Sequence, residues 1–147
     1  MPKKYSPIKD KSEKLIRIEK ELIKSKAWME LTATACKVYL IFLGKRQGNW
    51  FEKNGRKKEW VFTNLNKIEF TYIEAEKEYK LGKSTFHRTV KQLLEVGFLD
   101  IIKSGGQLWH QKALYGISDR WKKFGKDEFI PYARPKGIKI GWRKSKK

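Results

Sequence analysis

The chain is predicted to fold as an α+β domain, a three-helix core followed by a C-terminal β-hairpin with basic tails on both sides. Three observations carry the prediction. Two helical patterns are joined by a tight turn within residues 71–96. An alternating apolar stretch with Gly105-Gly106 at its middle follows at once. A largely apolar helical stretch lies ahead of both, suited to the centre of a core.

Composition sets the class. At 147 residues there is room for one ordinary domain and short tails. Lys and Arg number 35 against 16 Asp and Glu, a net charge of +19 that attracts polyanions. Hydrophobic residues at 39% and aromatics at 14% supply a real core, which argues against a disordered basic tail protein. The single cysteine, Cys36, has no intramolecular partner, and with His87 and His110 as the only histidines a Cys/His zinc site is not expected. No signal peptide or spanning segment is visible, so a cytoplasmic location is expected.

The elements follow in order. Residues 1–13 read as a flexible basic arm, 14–125 as the domain and 126–147 as a basic extension. From Lys14 to Trp28 the apolar positions Leu15, Ile18, Leu22 and Ile23 fit an amphipathic helix, and an extended start through Ile18 fits as well. Thr32 or Thr34 caps the central helix, which runs to about Arg46 with Ala35, Val38, Tyr39 and Phe42 on its apolar face. Residues 44–58 read as a mobile loop of glycine, asparagine and charge, and Trp60 to Phe62 and Lys67 to Phe70 as short strands.

Thr71 and Glu74 match a capping box, opening a helix over 72–79. Leu81-Gly82 ends that turn, with glycine taking the positive φ, and Ser84 caps a second helix that runs to Val96 and stops at Gly97. Phe86, Val90, Leu93 and Leu94 form one stripe of this helix, and Ser84, Arg88, Lys91 and Glu95 lie opposite. Phe98 to Lys103 and Trp109 to Ser118 read as the two strands of a hairpin, turning at residues 104–107.

Residues 71–107, TYIEAEKEYKLGKSTFHRTVKQLLEVGFLDIIKSGGQ, resemble the winged helix-turn-helix family. The shared features are a Ser/Thr-opened short helix with a small residue inside it (Ala75), a glycine turn (Gly82), a second helix beginning Lys-Ser-Thr, and a closing Leu-x-x-Gly-Phe run from Leu94 to Phe98. Tyr79-Lys80 departs from the pattern at the end of the first helix. The segment Ser25 to Leu31 resembles one that precedes the central helix in some winged-helix proteins of phages and plasmids.

The resemblance implies sequence-specific binding of double-stranded DNA, with the second helix in the major groove and the hairpin as wing. Lys83, Ser84, Thr85, His87, Arg88 and Lys91 would face the groove, with Arg88 the best placed to pair with a guanine edge and Ser84 and Thr85 nearer a phosphate. Lys103, Gln107, His110 and Lys112 would reach DNA from the wing. The basic run Arg134, Lys136, Lys139, Arg143, Lys144, Lys146 and Lys147 has no acid within it and reads as an electrostatic extension. A transcriptional regulator is the reading favoured. A replication initiator of a mobile element and a structured-RNA-binding protein are the alternatives.

Enzymatic activity is not expected. Glu74, Glu76 and Glu78 are spaced by two and point to different helical faces, and Glu78-Tyr79-Lys80 matches a nuclease E-x-K only formally. No cofactor or metal is implied. Cys36 reads as a small core residue, and Trp28, Trp50, Trp60 and Trp121 as packing residues. A homodimer joined through Lys14 to Trp28 is expected on the general two-fold symmetry of such DNA readers, and no membrane partner.

Overall fold

The computed structural model describes residues 15–55, 57–105 and 112–133. It is a mixed α+β structure of helices and small antiparallel sheets. Residues 15–19 carry no regular secondary structure, Glu19 being extended at the helix start, and two short helices follow, α1 (Lys20–Lys24) and α2 (Lys26–Met29). Ser25 separates them because its side chain serves both ends: its hydroxyl donates to the Leu22 carbonyl at 2.6 Å and accepts the Trp28 N–H at 3.2 Å. Of the stripe expected here, Leu22 is buried and Ile18 half-buried against the core, while Leu15 and Ile23 are exposed.

The central helix α3 (Ala33–Gly44) starts where predicted. Thr32 caps it by accepting the Ala35 N–H. The Thr32 N–H and hydroxyl also donate to Gln92 Oε1, 3.3 and 3.1 Å away, which ties the start of α3 to a helix sixty residues on. Its residues Val38, Tyr39 and Phe42 lie at the centre of the core.

Residues 44–58, expected to be a loop, instead carry most of a β-hairpin. Strands β1 (Gly48–Lys53) and β2 (Lys57–Phe62) pair antiparallel from Gly48↔Phe62 to Lys53↔Lys57. The turn explains it: Asn54 (φ 55°) and Gly55 (φ 74°) both adopt positive φ, which Asn and Gly tolerate and which lets the chain reverse between the strands. Asn64 fastens the base of the ribbon, accepting the Gln47 N–H at 2.6 Å and donating to the Lys45 carbonyl at 3.0 Å.

A second sheet has the order β3-β5-β4, formed by β3 (Ile68–Glu69), β4 (Leu99–Lys103) and β5 (Leu114–Ile117), all pairs antiparallel. Between β3 and β4 lie α4 (Tyr72–Tyr79) and α5 (Lys83–Val96), joined by a three-residue turn. Thr71 caps α4 by accepting the Glu74 N–H. The capping box closes on this side alone, since the Glu74 carboxylate pairs with Lys45 Nζ.

Two expectations about the turn need correction. The residue with positive φ is Lys80 (φ 55°), and Gly82 has an ordinary φ of −63°. The cap of α5 is Gly82 without a side-chain bond, so Ser84 lies within the first turn of the helix and does not cap it. The α4 end forces this, because the Leu81 N–H reaches back to the Ala75 carbonyl and only a left-handed residue just before it permits that bond.

The core is a chain of rings. Phe42 meets Phe70 and Tyr115, each at 5.2 Å, Phe70 meets Phe86 at 4.9 Å, and Tyr39 meets Phe98 at 4.8 Å. Trp121, on a 3₁₀ turn at Arg120–Lys123, stacks on Phe98 at 5.7 Å. Burying each such ring contributes roughly 1.5–3 kcal/mol. The chain stays attached to this core past residue 125: Phe129 packs on Phe124 at 5.3 Å, and Tyr132 packs against the core.

Candidate nucleic-acid interface

Helix α5 is divided lengthwise. Phe86, Thr89, Val90, Leu93 and Leu94 are buried, and the Thr89 hydroxyl is satisfied by donating to the carbonyls of Thr85 and Phe86 at 3.0 and 2.9 Å. On the opposite side Lys83, Ser84, His87, Arg88 and Lys91 are all exposed and share one face, with Glu95 at its far end. Lys91 Nζ lies 3.9 Å from Glu95, a surface contact worth little. Thr85 is the exception among the predicted groove residues: it is half-buried and lies toward the side of the helix where Gln92 meets Thr32.

The first turn of α4 lies beside the start of this face. Lys83 Nζ sits 4.6 Å from the centre of the Tyr72 ring, a cation–π contact that holds the lysine at the helix entrance. Sequence reasoning missed Tyr72, although an aromatic residue at the first position of an exposed short helix has no core to serve and was the available signal. On the other flank of α4, Glu74 engages Lys45, whose Nζ also lies 5.0 Å from the Phe70 ring.

At the far end, Gly97 ends α5 with φ 93°. A Cβ there would lie 2.6 Å from the Trp121 nitrogen. The wing positions are partly described. Lys103 is exposed at the end of β4, and Lys112 is exposed beside β5, where Nζ lies 3.3 Å from Glu69. Gln107, His110, Arg134, Lys136, Lys139 and Arg143 lie outside the described residues.

The β1–β2 ribbon adds a second exposed surface that the sequence reading did not assign. Trp50, Trp60 and Phe62 share one of its faces: Trp50 and Trp60 meet edge-on at 5.5 Å, and Trp60 and Phe62 at 6.3 Å. The Arg46 guanidinium lies 4.3 Å from the centre of the Phe62 ring. Trp50, expected to be a packing residue, is 47% exposed.

Titration adds little to this surface. Burial draws the Arg46 guanidinium below its ordinary value, with Tyr39 opposing the shift, and burial pushes the Cys36 thiol up. Tyr39, in the core, is pushed up to about 12 by burial. Among the described residues no three His, Cys, Asp or Glu side chains come together as a metal site would need, and no helix is long and apolar enough to cross a membrane. The chain matches no family model, no curated protein and no solved structure.

Proposed function

We propose that the protein binds double-stranded DNA sequence-specifically as a winged helix-turn-helix, with α5 as the recognition helix and β4–β5 as the wing, and acts as a transcriptional regulator. The observation that carries the reading is the division of α5. One side is anchored in the core, and the other presents Lys83, Ser84, His87, Arg88 and Lys91 together on an exposed face. A major groove admits one helix, and this helix brings basic and hydrogen-bonding side chains to it without disturbing the packing behind.

Two further features support it. The antiparallel strands β4 and β5 follow the helix pair in the chain, with β3, which precedes it, paired to β5. The net charge of +19 supplies the sequence-independent attraction to phosphates. In this reading Arg88 pairs with a base edge, Lys83 and Lys91 neutralise phosphates, and the first-turn amides of α5 beside Ser84 take a phosphate oxygen.

The test is fluorescence anisotropy with duplex DNA selected from a random pool and with hairpin RNA, titrated with salt, for the wild type and for Arg88→Ala combined with Lys91→Ala. The expected result is preference for the duplex, a loss of about 1–3 kcal/mol at Arg88 beyond the phosphate contribution, and a shallower salt slope by about one per phosphate contact removed. Equal binding of RNA, or an unchanged double variant, overturns the reading.

A further inference from the structure

The β1–β2 ribbon is an unusual thing to leave in water. A two-stranded ribbon standing alone is marginally stable, and neither strand packs extensively on the helices or on the three-stranded sheet. No third strand pairs with either edge among the described residues. Yet it is internally well made. Gly48 has no side chain where Trp60 crosses it, since a Cβ there would lie 2.8 Å from the indole ring. The ring therefore lies down over β1, flanked by Trp50 on one side and Phe62 on the other. Asn64 locks the base of the ribbon.

We propose that this aromatic face is a platform on which the unpaired bases of a DNA strand stack. The occupant is argued from charge and ring chemistry. Between residues 46 and 59 there are five basic residues, Arg46, Lys53, Arg56, Lys57 and Lys58, against Glu52 and Glu59. Glu59 is held 3.2 Å from Lys53, and Glu52 stands opposite Lys58 in the register. On the aromatic face the Arg46 guanidinium lies against Phe62 and Lys58 stands opposite Glu52, while Lys53 and Lys57 project from the other face near the turn. Ring faces for bases, with cations beside them for phosphates, are what a single strand requires. A duplex keeps its base faces covered by stacking, and a second copy of this chain would bring like charge against like charge.

The ribbon's position fits this use. Its base touches the first turn of α4 through Lys45 and Glu74, and the same turn holds Lys83 of α5 through Tyr72. A strand leaving a duplex bound along α5 has the ribbon beside it. The proposal rests on the DNA-binding reading in taking the strand to be DNA. It does not require α5 to read a groove.

The experiment measures anisotropy of a labelled oligothymidylate, an oligouridylate and the selected duplex with the full chain carrying Trp50→Ala, Trp60→Ala or Trp50→Phe, beside Arg88→Ala with Lys91→Ala. The Ala variants are expected to weaken oligothymidylate binding by about 5- to 100-fold and to leave duplex binding within about 3-fold. Trp50→Phe, which keeps a ring, should hold most of the single-strand affinity. The α5 double variant should show the reverse pattern. Trp50-dependent binding of oligothymidylate by a protein that fails to prefer duplex would sink the groove reading and uphold this one.

Ala variants that bind oligothymidylate like the wild type overturn the proposal. So does an equal loss on both DNAs, or tighter binding of oligouridylate. A dimer seen by light scattering that dissolves in Trp50→Ala overturns it too, by assigning the face to a second copy.

Discussion

Arg120 Nε donates to Asp100 Oδ1 at 2.8 Å, joining the 3₁₀ turn after the sheet to the first residues of β4. The same guanidinium donates to the carbonyls of Leu94, Leu99 and Ile130, each at 2.9 Å. One planar group thereby holds the end of α5, the start of β4 and the segment beyond residue 123 in a single arrangement. The fixed fork of donors is what a lysine cannot reproduce.

Removal of that fork is costly. Arg120→Ala is expected to lower stability by about 2–4 kcal/mol, because three carbonyls and a carboxylate lose their donor in a partly buried site. Arg120→Lys should recover only a minor part. Urea unfolding monitored by circular dichroism checks both, and a loss within the error of the wild type would show that water replaces the guanidinium without penalty.

Gly97→Ala should destabilise by a similar amount. The position combines φ 93° with a Cβ contact of 2.6 Å to backbone, so neither the conformation nor the space admits a methyl group. Thermal unfolding gives the answer directly. Gly82→Ala serves as control, since φ there is −63° and nothing lies within 4 Å of the added Cβ.

These two sites mark the limit of what the sequence discloses. The periodicity of Phe86, Val90, Leu93 and Leu94 was enough to place the buried stripe of α5, and local capping chemistry was enough to place Thr32 and Thr71. Arg120 was not legible because its partners lie 10 to 26 residues away and are mostly backbone carbonyls, which carry no sequence signature. The β1–β2 ribbon was hidden by Glu52, Lys53, Lys57, Lys58 and Glu59, which interrupt the alternation of a half-buried strand; Asn54-Gly55 was the local signal that outweighs them. Lys80 took the left-handed turn assigned to Gly82 because the hydrogen bonds at the end of α4 fix where the reversal falls.

Thr32 offers a test of how α3 and α5 are held together. Thr32→Ala removes the cap of α3 and the hydroxyl link to Gln92 at once, and should cost about 1–2 kcal/mol. Thr32→Ser keeps the oxygen and should restore most of it. A double-mutant cycle with Gln92→Ala separates the cap from the interhelical bond.

High pH is expected to unfold the domain through Tyr39. Burial, the largest influence, raises its pKa to about 12, with Arg46 opposing and Asp119 and Glu19 adding to the rise. The folded state therefore holds the phenol proton longer than the unfolded state, whose tyrosines titrate near 10. Stability is full below pH 10 and falls as the pH rises toward 12, by on the order of 2–3 kcal/mol. Tyr115, also raised by burial, adds to the same trend. Urea midpoints across this range should decline less steeply in Tyr39→Phe than in the wild type.

Tyr72 distinguishes guidance of a lysine from simple packing. If α5 binds DNA as proposed, Tyr72→Ala should weaken duplex binding by about 2- to 5-fold with little change in stability, and Tyr72→Phe should be close to wild type, because the ring face alone holds Lys83. Equal affinity of all three proteins would leave the Lys83–Tyr72 contact without a part in binding.

The stacking of Trp121 on Phe98 also has a consequence for how the chain is made. A ribosome delivers the protein from its amino end, so α3, α4 and α5 emerge before the ring that seals the end of α5 and before the Ile130 carbonyl that Arg120 grips. Until then Phe98 lacks its covering ring and the carbonyls of Leu94 and Leu99 lack the arginine. The nascent domain is completed only with its last core-forming segment, and a stall short of residue 121 exposes an unfinished core to proteases and chaperones.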